Sequence, residues 1–256
     1  MNLAFTKYQG TGNDFILIDN REELFPKKID TIQKLCDRRF GVGADGLILI
    51  ENHPELDYKM IYYNSDGSQS LCGNGSRCGF AFARSLGIAG ETATFETTDG
   101  IHRIKEQDGL IHFSFFDIKN DISEIGMDKY LNTGSPHYIR FVKDIDSIDV
   151  FAEGREIRNL AAYSGQNGTN VNFAHLLKDR IKMRTYERGV EDETLSCGTG
   201  ATAVALIAGS DGMDSPIELE TKGGNLRVFF KLENGMFTDI WLAGPAEKVF
   251  EGTVII

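Results

Sequence analysis

The chain reads as an α+β protein of two pseudo-symmetric, strand-rich lobes, each wrapped around a central apolar helix, with the working site in the cleft between them. Three observations predict this. Most of the 256 residues fall into short strand-like runs, and 28 glycines against 5 prolines point to many tight turns. Two segments break that texture: "GNGSRCGFAFARSLG" (73–87) and "GTGATAVALIAGSDG" (198–212). Each opens on Gly-x-Gly, continues in helix formers that are apolar nearly all the way round, and stops at glycine, which predicts a helix buried on every side. Finally, each is preceded by strand-like sequence and one cysteine, Cys72 or Cys197. Cysteine, both glycines and an apolar helix recurring in register read as a diverged duplication.

The elements follow in order. "NDFILIDN" (13–20) is an apolar strand ending in turn residues. "KIDTIQKLCDR" (28–38) places Ile29, Ile32, Leu35 and Cys36 on one helical face, so Cys36 is expected in the core. "GLILIE" (46–51), "YKMIYYN" (58–64), "ATFETTDG" (93–100) and "LIHFSFFDI" (110–118) read as strands around the first central helix. The second half repeats the texture with "HYIRFV" (137–142), "TNVNFAHLL" (169–177), "IKMRTYERG" (181–189), "IELETKGG" (217–224), "LRVFFKL" (226–232) and "FTDIWLAG" (237–244).

The bulk numbers exclude several function classes. A net charge of -11 makes nucleic acid and anionic membrane surfaces poor partners. No apolar run is long enough to span a bilayer, and "MNLAFTKYQGTGNDF" does not read as a signal peptide, so a cytoplasmic enzyme is expected. Four cysteines are too few for a disulfide scaffold.

The cysteines narrow the chemistry. Structural zinc wants four ligands, usually in close Cys pairs. Cys72 and Cys78 are separated by five residues, no second pair exists, and His53, His102, His112, His137 and His175 are scattered singly, so no metal is expected. The same spacing does not fit a Cys-x-x-Cys redox pair. Cys78 falls on the apolar surface of its helix and reads as core. Cys72 and Cys197 remain, each at a helix N-terminus, where free backbone N–H groups and a partial positive charge favour a thiolate by up to about 2 kcal/mol and can hold a carboxylate. Two such thiols on opposite faces of a carbon suit one reaction: a thiolate removes the proton beside a carboxylate, and a thiol returns one to the other face. Donors fixed on the carboxylate must then carry most of the barrier reduction. No cofactor is required, and no pyridoxal-phosphate-type signature is present.

Six stretches, in order, resemble the diaminopimelate epimerase family: "KYQGTGNDF" (7–15), "GVGADG" (41–46), "NSDGSQSLCGNGSRC" (64–78), "NTGSPH" (132–137), "GTNVNF" (168–173) and "YERGVEDETLSCGTGA" (186–201). The resemblance runs nearly end to end. It implies a cofactor-independent, two-base cysteine epimerase that interconverts LL- and meso-diaminopimelate in lysine and peptidoglycan-precursor synthesis, and a homodimer. It implies that the last strand, "KVFEGTVII", returns to the first lobe, giving lobes of 1–117 plus 248–256 and 118–247. Cys72 and Cys197 would be the acid/base pair, and Gly73, Asn74, Gly198 and Thr199 would bind the reacting carboxylate. Asn13, Asn64 and Asn170 would hold the far amino-acid end of the substrate with the Glu187–Arg188 segment, while His137 and Glu187 would flank the reacting amine and thiols. Asp14, Asp45, Asp66 and Arg77 are read as loop caps or charge partners.

Two positions depart from the family pattern. Gly46 stands where some relatives carry a glutamine, and Ser135 where some carry an asparagine. Proline and hydroxyproline racemases share the two-cysteine scheme, but relatives of that type show histidine where this chain has Asn74 and "DRSPCGTG" where it has "DETLSCGTG". Phenazine-biosynthesis isomerases lack the cysteine pair. A non-catalytic amino-acid-binding protein on the same scaffold is the remaining alternative.

Overall fold

The computed structural model describes residues 1–160 and 167–256. The chain groups into two units, Met1–Ser114 with Gly244–Ile256, and Phe115–Ala243.

The first unit begins with a hairpin, β1 (Asn2–Gly10) and β2 (Asn13–Asp19). Thr11 and Gly12 form its turn at φ 51° and 83°, the two positive values that a tight antiparallel connection takes. Helix α1 (Ile29–Cys36) carries the chain across to β3 (Gly46–Glu51), which runs parallel to β2 with Phe15 opposite Gly46. Ile32, Leu35 and Cys36 face inward as the spacing predicts, but Ile29, at the first helical position, is 56% exposed. β3 is buried along its whole length, as a continuous apolar run demands. β4 (Tyr58–Asn64) pairs antiparallel with it, and helix α2 (Gly73–Ser85) then crosses to β5 (Thr92–Thr97), parallel to β4. β6 (Gly100–Gln107) and β7 (Leu110–Ser114) complete a meander.

The second unit opens with β8 (Ile118–Lys119) and β9 (Ser123–Ile125), so the run read as one strand over 110–118 is broken after Ser114. It then repeats the same plan. β10 (Asp128–Asn132) and β11 (Pro136–Phe141) form a hairpin, and helix α3 (Val150–Arg158) leads to β12 (Asn170–Leu176), parallel to β11. β13 (Ile181–Glu187) returns antiparallel, followed by the short β14 (Asp192–Thr194). Helix α4 (Gly198–Ser210) crosses to β15 (Ile217–Thr221), parallel to β13, and β16 (Gly224–Glu233) and β17 (Met236–Gly244) close the meander. The last strand, β18 (Glu247–Ile255), lies antiparallel along β1 in the first unit.

The duplication is therefore visible at every step: hairpin, helical crossover, antiparallel return, helical crossover, meander. Helix α3 lies outside the elements that the sequence reading predicts. Asp149 caps it by accepting from the Ala152 N–H at 3.0 Å, and Val150, Gly154 and Ile157 face inward at helical spacing. Gly154 sits at its centre because a Cβ there would lie 2.4 Å from Tyr186 Cβ.

Both central helices are 13 residues long and end alike. Gly87 and Gly212 take φ of 72° and 102° just beyond them, and Ile88 N–H and Met213 N–H reach back to the carbonyls of Ala83 and Ala208. Helix α4 is enclosed by β10, β11, β12, β15 and β16, in a core that includes Leu131, Ile139, Met183, Leu219 and Val228. Among the described residues no helix is long and apolar enough to cross a membrane.

Candidate active site

The two central helices start in nearly the same way. Cys72 precedes α2 in extended backbone (φ -134°, ψ 107°), and Cys197 precedes α4 likewise (φ -125°, ψ 110°). In each case the cysteine carbonyl accepts the first helical bond, from Ser76 N–H and Ala201 N–H, both at 2.8 Å. Each sulfur is thus presented at a helix N-terminus whose first-turn N–H groups have no helical acceptor. The second glycine of each Cys-Gly-x-Gly keeps the sulfur close: a Cβ on Gly75 would lie 3.4 Å from Cys72 Sγ, and one on Gly200 3.3 Å from Cys197 Sγ.

In the first unit, Cys72 is half-buried. Its Sγ accepts from Gly75 N–H at 3.3 Å and lies 3.7 Å from Asn13 Oδ1, to which the thiol donates. A ladder of charge fixes the orientation of Asn13. Its Nδ2 donates to Asp45 Oδ2 at 2.6 Å, which leaves Oδ1 to face the sulfur. Arg38 bridges Asp45 and Asp14, with its guanidinium forked on the latter at 2.6 and 3.0 Å. The buried Lys7 ammonium pairs with Asp14 at 2.7 Å and donates to the Gly43 carbonyl. Burial alone would raise the Asp14 pKa; hydrogen bonds and charge from Arg38 and Lys7 outweigh it and hold the carboxyl at about 2.

Arg77 is fully buried on α2. Its Nε donates to the Pro245 carbonyl and its Nη2 to Thr11 Oγ1, both at 3.3 Å, so it ties the β1–β2 turn and the segment before β18 to the helix. It has no ion pair among the described residues, and burial lowers its pKa to about 10, still well above neutrality. Asn64 lies at the end of β4. Its Nδ2 donates to the Ser68 and Ser70 hydroxyls at 3.0 and 3.2 Å, and its Oδ1 accepts from Tyr62 Oη at 3.0 Å. The Tyr62 ring also explains Gly46: a Cβ at 46 would lie 2.4 Å from Tyr62 Cε2. In this chain the aromatic ring occupies the space a side chain at 46 would need. Asn74 is buried within the first turn of α2.

In the second unit, Cys197 is buried (5% exposed), with Thr199 Oγ1 3.6 Å from its sulfur. Thr133 ties the β10–β11 turn to this helix start by donating to the Thr199 carbonyl at 3.1 Å. Behind them lies a chain of buried polar groups. Thr185 Oγ1 donates to Asn172 Oδ1 at 2.9 Å, and Asn172 Nδ2 meets the Tyr138 carbonyl at 3.1 Å and His137 Nδ1 at 3.2 Å. Burial, helped by the charge of Arg188, pushes the His137 pKa down to about 3, so its imidazole is neutral.

Asn170 is engaged within the chain. Its Nδ2 donates to Ser135 Oγ at 2.9 Å and to the Pro136 carbonyl at 3.0 Å, and its Oδ1 accepts from Arg188 N–H at 3.0 Å. Serine at 135 thus serves Asn170, and Asn170 in turn fixes the backbone of Arg188. The Arg188 guanidinium is half-buried and reaches the Gly168 carbonyl at 3.5 Å; Glu187 precedes it at the end of β13.

The expected site residues therefore form two groups, Asn13, Asn64, Cys72, Gly73 and Asn74 in one unit, and Ser135, His137, Asn170, Glu187, Arg188, Cys197, Gly198 and Thr199 in the other. Sequence reading missed Lys7, Arg38 and Tyr62 behind the first group and Asn172 and Thr185 behind the second. Cys36 and Cys78 are buried, and burial raises both thiols, Cys36 to about 12. Among the described residues no three His, Cys, Asp or Glu side chains are grouped to hold a metal ion.

The family model for diaminopimelate epimerase matches residues 5–110 and 129–249. The chain belongs to the diaminopimelate epimerase family. It is 52% identical to a diaminopimelate epimerase of Flavobacterium psychrophilum, with 97% of this chain and 98% of that protein covered. It is 40% identical to one of Aquifex aeolicus, with 98% and 97% covered. Family membership places the chain among isomerases.

Solved structures show how far the fold extends beyond the diaminopimelate epimerases. A phenazine biosynthesis protein of the PhzF family from Bacillus anthracis superposes with a TM-score of 0.77 at 17% identity over the full length of both chains. A probable proline racemase from Agrobacterium radiobacter gives 0.73 at 14% identity, over 99% of this chain and 93% of that one. At those identities the likeness concerns the fold alone.

Proposed function

We propose that the protein interconverts LL- and meso-diaminopimelate by cofactor-independent two-base proton transfer, with Cys72 and Cys197 as the acid/base pair. The observation that carries this reading is the repeated helix start: one cysteine in extended backbone immediately before each buried helix, with helical N–H groups around it. The names of the relatives, at up to 52% identity over nearly the whole chain, support the substrate.

One cysteine, as thiolate, takes the α-proton, and the C–H electron pair moves into the adjacent carboxylate, giving an enediolate-like species. The other cysteine, as thiol, then delivers its proton to the opposite face. One proton leaves and one arrives, so the substrate's charge is unchanged. The sulfurs exchange protonation states, and the reverse reaction restores them. The C–H bond is weakly acidic, and the largest contribution must come from donors aimed at the developing oxyanion. Backbone N–H groups of Gly73, Asn74, Gly198 and Thr199 fill that role, aided by the helix dipoles. Asn13 gives Cys72 an acceptor for its proton while Gly75 N–H gives it a donor, so both states of the sulfur are accommodated.

At the far end of the substrate, Asn13 has a second amide N–H and Asn64 a second Oδ1 lone pair beyond the bonds described above, and Arg188 offers a fork for the distal carboxylate. Asn170 acts through Arg188, whose backbone it holds. Glu187 is assigned to the reacting ammonium group. A homodimer working in the cytoplasm in lysine and peptidoglycan-precursor synthesis completes the proposal.

The test is a substrate panel. Purified protein is incubated with LL-diaminopimelate, meso-diaminopimelate, L-proline and trans-4-hydroxy-L-proline without added cofactor, and stereoisomers are resolved by chiral chromatography. Interconversion of the two diaminopimelate isomers alone supports the reading. Turnover of proline or hydroxyproline with inert diaminopimelate would replace it with the racemase assignment, and no turnover with tight binding would make it a binding protein.

A further inference from the structure

His137 is completely buried, and its Nε2 has no hydrogen-bond partner among the described residues. Buried polar atoms are almost always paired, so an exception on a strand beside Cys197's helix calls for a cause. The other ring nitrogen supplies it. Asn172 lies on β12 with its amide against the start of α4: a Cβ on Gly200 would lie 2.4 Å from Asn172 Oδ1 and 3.3 Å from Cys197 Sγ. The direction of that amide is fixed by its neighbours. The Tyr138 carbonyl can only accept, so the atom 3.1 Å from it must be Nδ2. Thr185 Oγ1 then donates to Oδ1 at 2.9 Å. The atom facing His137 Nδ1 at 3.2 Å is the same Nδ2, which only donates. His137 Nδ1 must therefore accept, and the ring proton sits on Nε2. A protonated ring would set an Nδ1–H against the amide N–H.

We propose that Asn172 is a positioning residue that holds His137 as a neutral Nε2–H tautomer, so that His137 serves the site as a hydrogen-bond donor to an acceptor atom of the bound amino acid, not as a base. A carboxylate oxygen or an unprotonated amine nitrogen fits such a donor, and an ammonium group does not. That separates His137 from Glu187, whose carboxylate suits the ammonium. The charged group acting on the ring, Arg188, also opposes its protonation. The donor role rests on the proposed epimerase reading; the tautomer does not.

Two measurements test this. The first is 15N NMR of the histidine rings in the intact protein without substrate, with the His137 signals assigned by their loss in His137→Gln. An Nε2–H tautomer that does not titrate through the neutral range is expected. An Nδ1–H tautomer or an imidazolium would overturn the proposal. Asn172→Asp replaces the donor with an acceptor of the same shape, and it should move the proton to Nδ1 and bring the ring into titration. A ring that keeps Nε2–H and stays neutral in folded Asn172→Asp would show that Asn172 does not set the tautomer. The second is kinetic. His137→Leu should lower kcat/KM on the order of ten- to a hundredfold, with partial recovery in His137→Gln, which restores an N–H near the same place. Full activity in folded His137→Leu would refute the donor role. If no variant, nor the native protein, turns over diaminopimelate, the epimerase reading fails while the NMR result still decides the tautomer.

Discussion

In the proposed reaction each sulfur alternately loses and gains a proton and so needs both a donor and an acceptor within reach, and Cys72 has them in Gly75 N–H and Asn13 Oδ1. Neither works without groups further back. Asp45 decides which end of the Asn13 amide meets the sulfur, and Arg77 holds the turn that carries Asn13 against α2. Arg77 is a buried cation without an ion pair among the described residues, a costly arrangement that an apolar side chain of similar length would relieve. Arg77→Met is therefore expected to cut kcat/KM by about tenfold or more while leaving the melting temperature unchanged or higher. Kinetics and thermal denaturation on the same preparation check this, and a variant that is fully active, or one that is clearly destabilised, contradicts it. At this scale the sequence was legible where a residue sits in a motif and opaque where it acts through another. Cys72 and Cys197 stand out because each opens a glycine-marked helix. Asn172 and Tyr62 do not, because the features that matter, a fixed amide direction and a ring filling the space at Gly46, are properties of contacts. Asn170 shows the converse: its motif suggests a substrate contact, whereas its amide is already held by Ser135, Pro136 and Arg188.

Among the elements, the two central helices were readable because their apolar character is continuous and their ends carry glycine. Helix α3 was harder to read. Its inward residues Val150, Gly154 and Ile157 follow helical spacing, but the middle one is a glycine, selected for close approach to Tyr186 and not for helix propensity. Its place could have been inferred from the duplication, since α1 crosses between β2 and β3 as α3 crosses between β11 and β12. The continuous apolar residues of the run 110–118 predict one strand; pairing partners, which the sequence does not display, break it into β7 and β8. Helix α3 packs against β12 and β13, the strands that carry Asn172 and lead to Arg188, so it supports the site from behind. Ile157→Ala is expected to destabilise the protein by about 2–5 kcal/mol, the usual cost of emptying a buried isoleucine site. Urea denaturation would measure it, and a loss below about 0.5 kcal/mol would show that this helix contributes little.

For the whole molecule, the buried ionisable groups set the response to acid. His137 binds a proton in the unfolded chain near 6.5 but only at about 3 when folded, because burial and then Arg188 oppose its charge. A depressed folded value means that the stability it contributes is present above 6.5 and is lost as pH falls towards 3, at about 1.4 kcal/mol per pH unit. Asp14, held at about 2 against 3.8 by Arg38 and Lys7 in spite of burial, adds a second loss that begins lower, below 3.8. Chemical denaturation across the acid range should show stability falling in the imidazole range and more steeply in the carboxylate range, with the first phase reduced in His137→Gln. A flat imidazole range in the native protein would contradict this.

Two-base inversion exchanges the α-proton with solvent by way of the two cysteines. The direct measurement is incubation of the protein with LL-diaminopimelate in heavy water, followed by NMR and mass analysis of both stereoisomers. Meso product carrying deuterium at the inverted α-carbon is expected, and so is loss of that product in both Cys72→Ala and Cys197→Ala. Epimerisation without deuterium at the α-carbon, or product formed at a substantial rate with either cysteine removed, would contradict it.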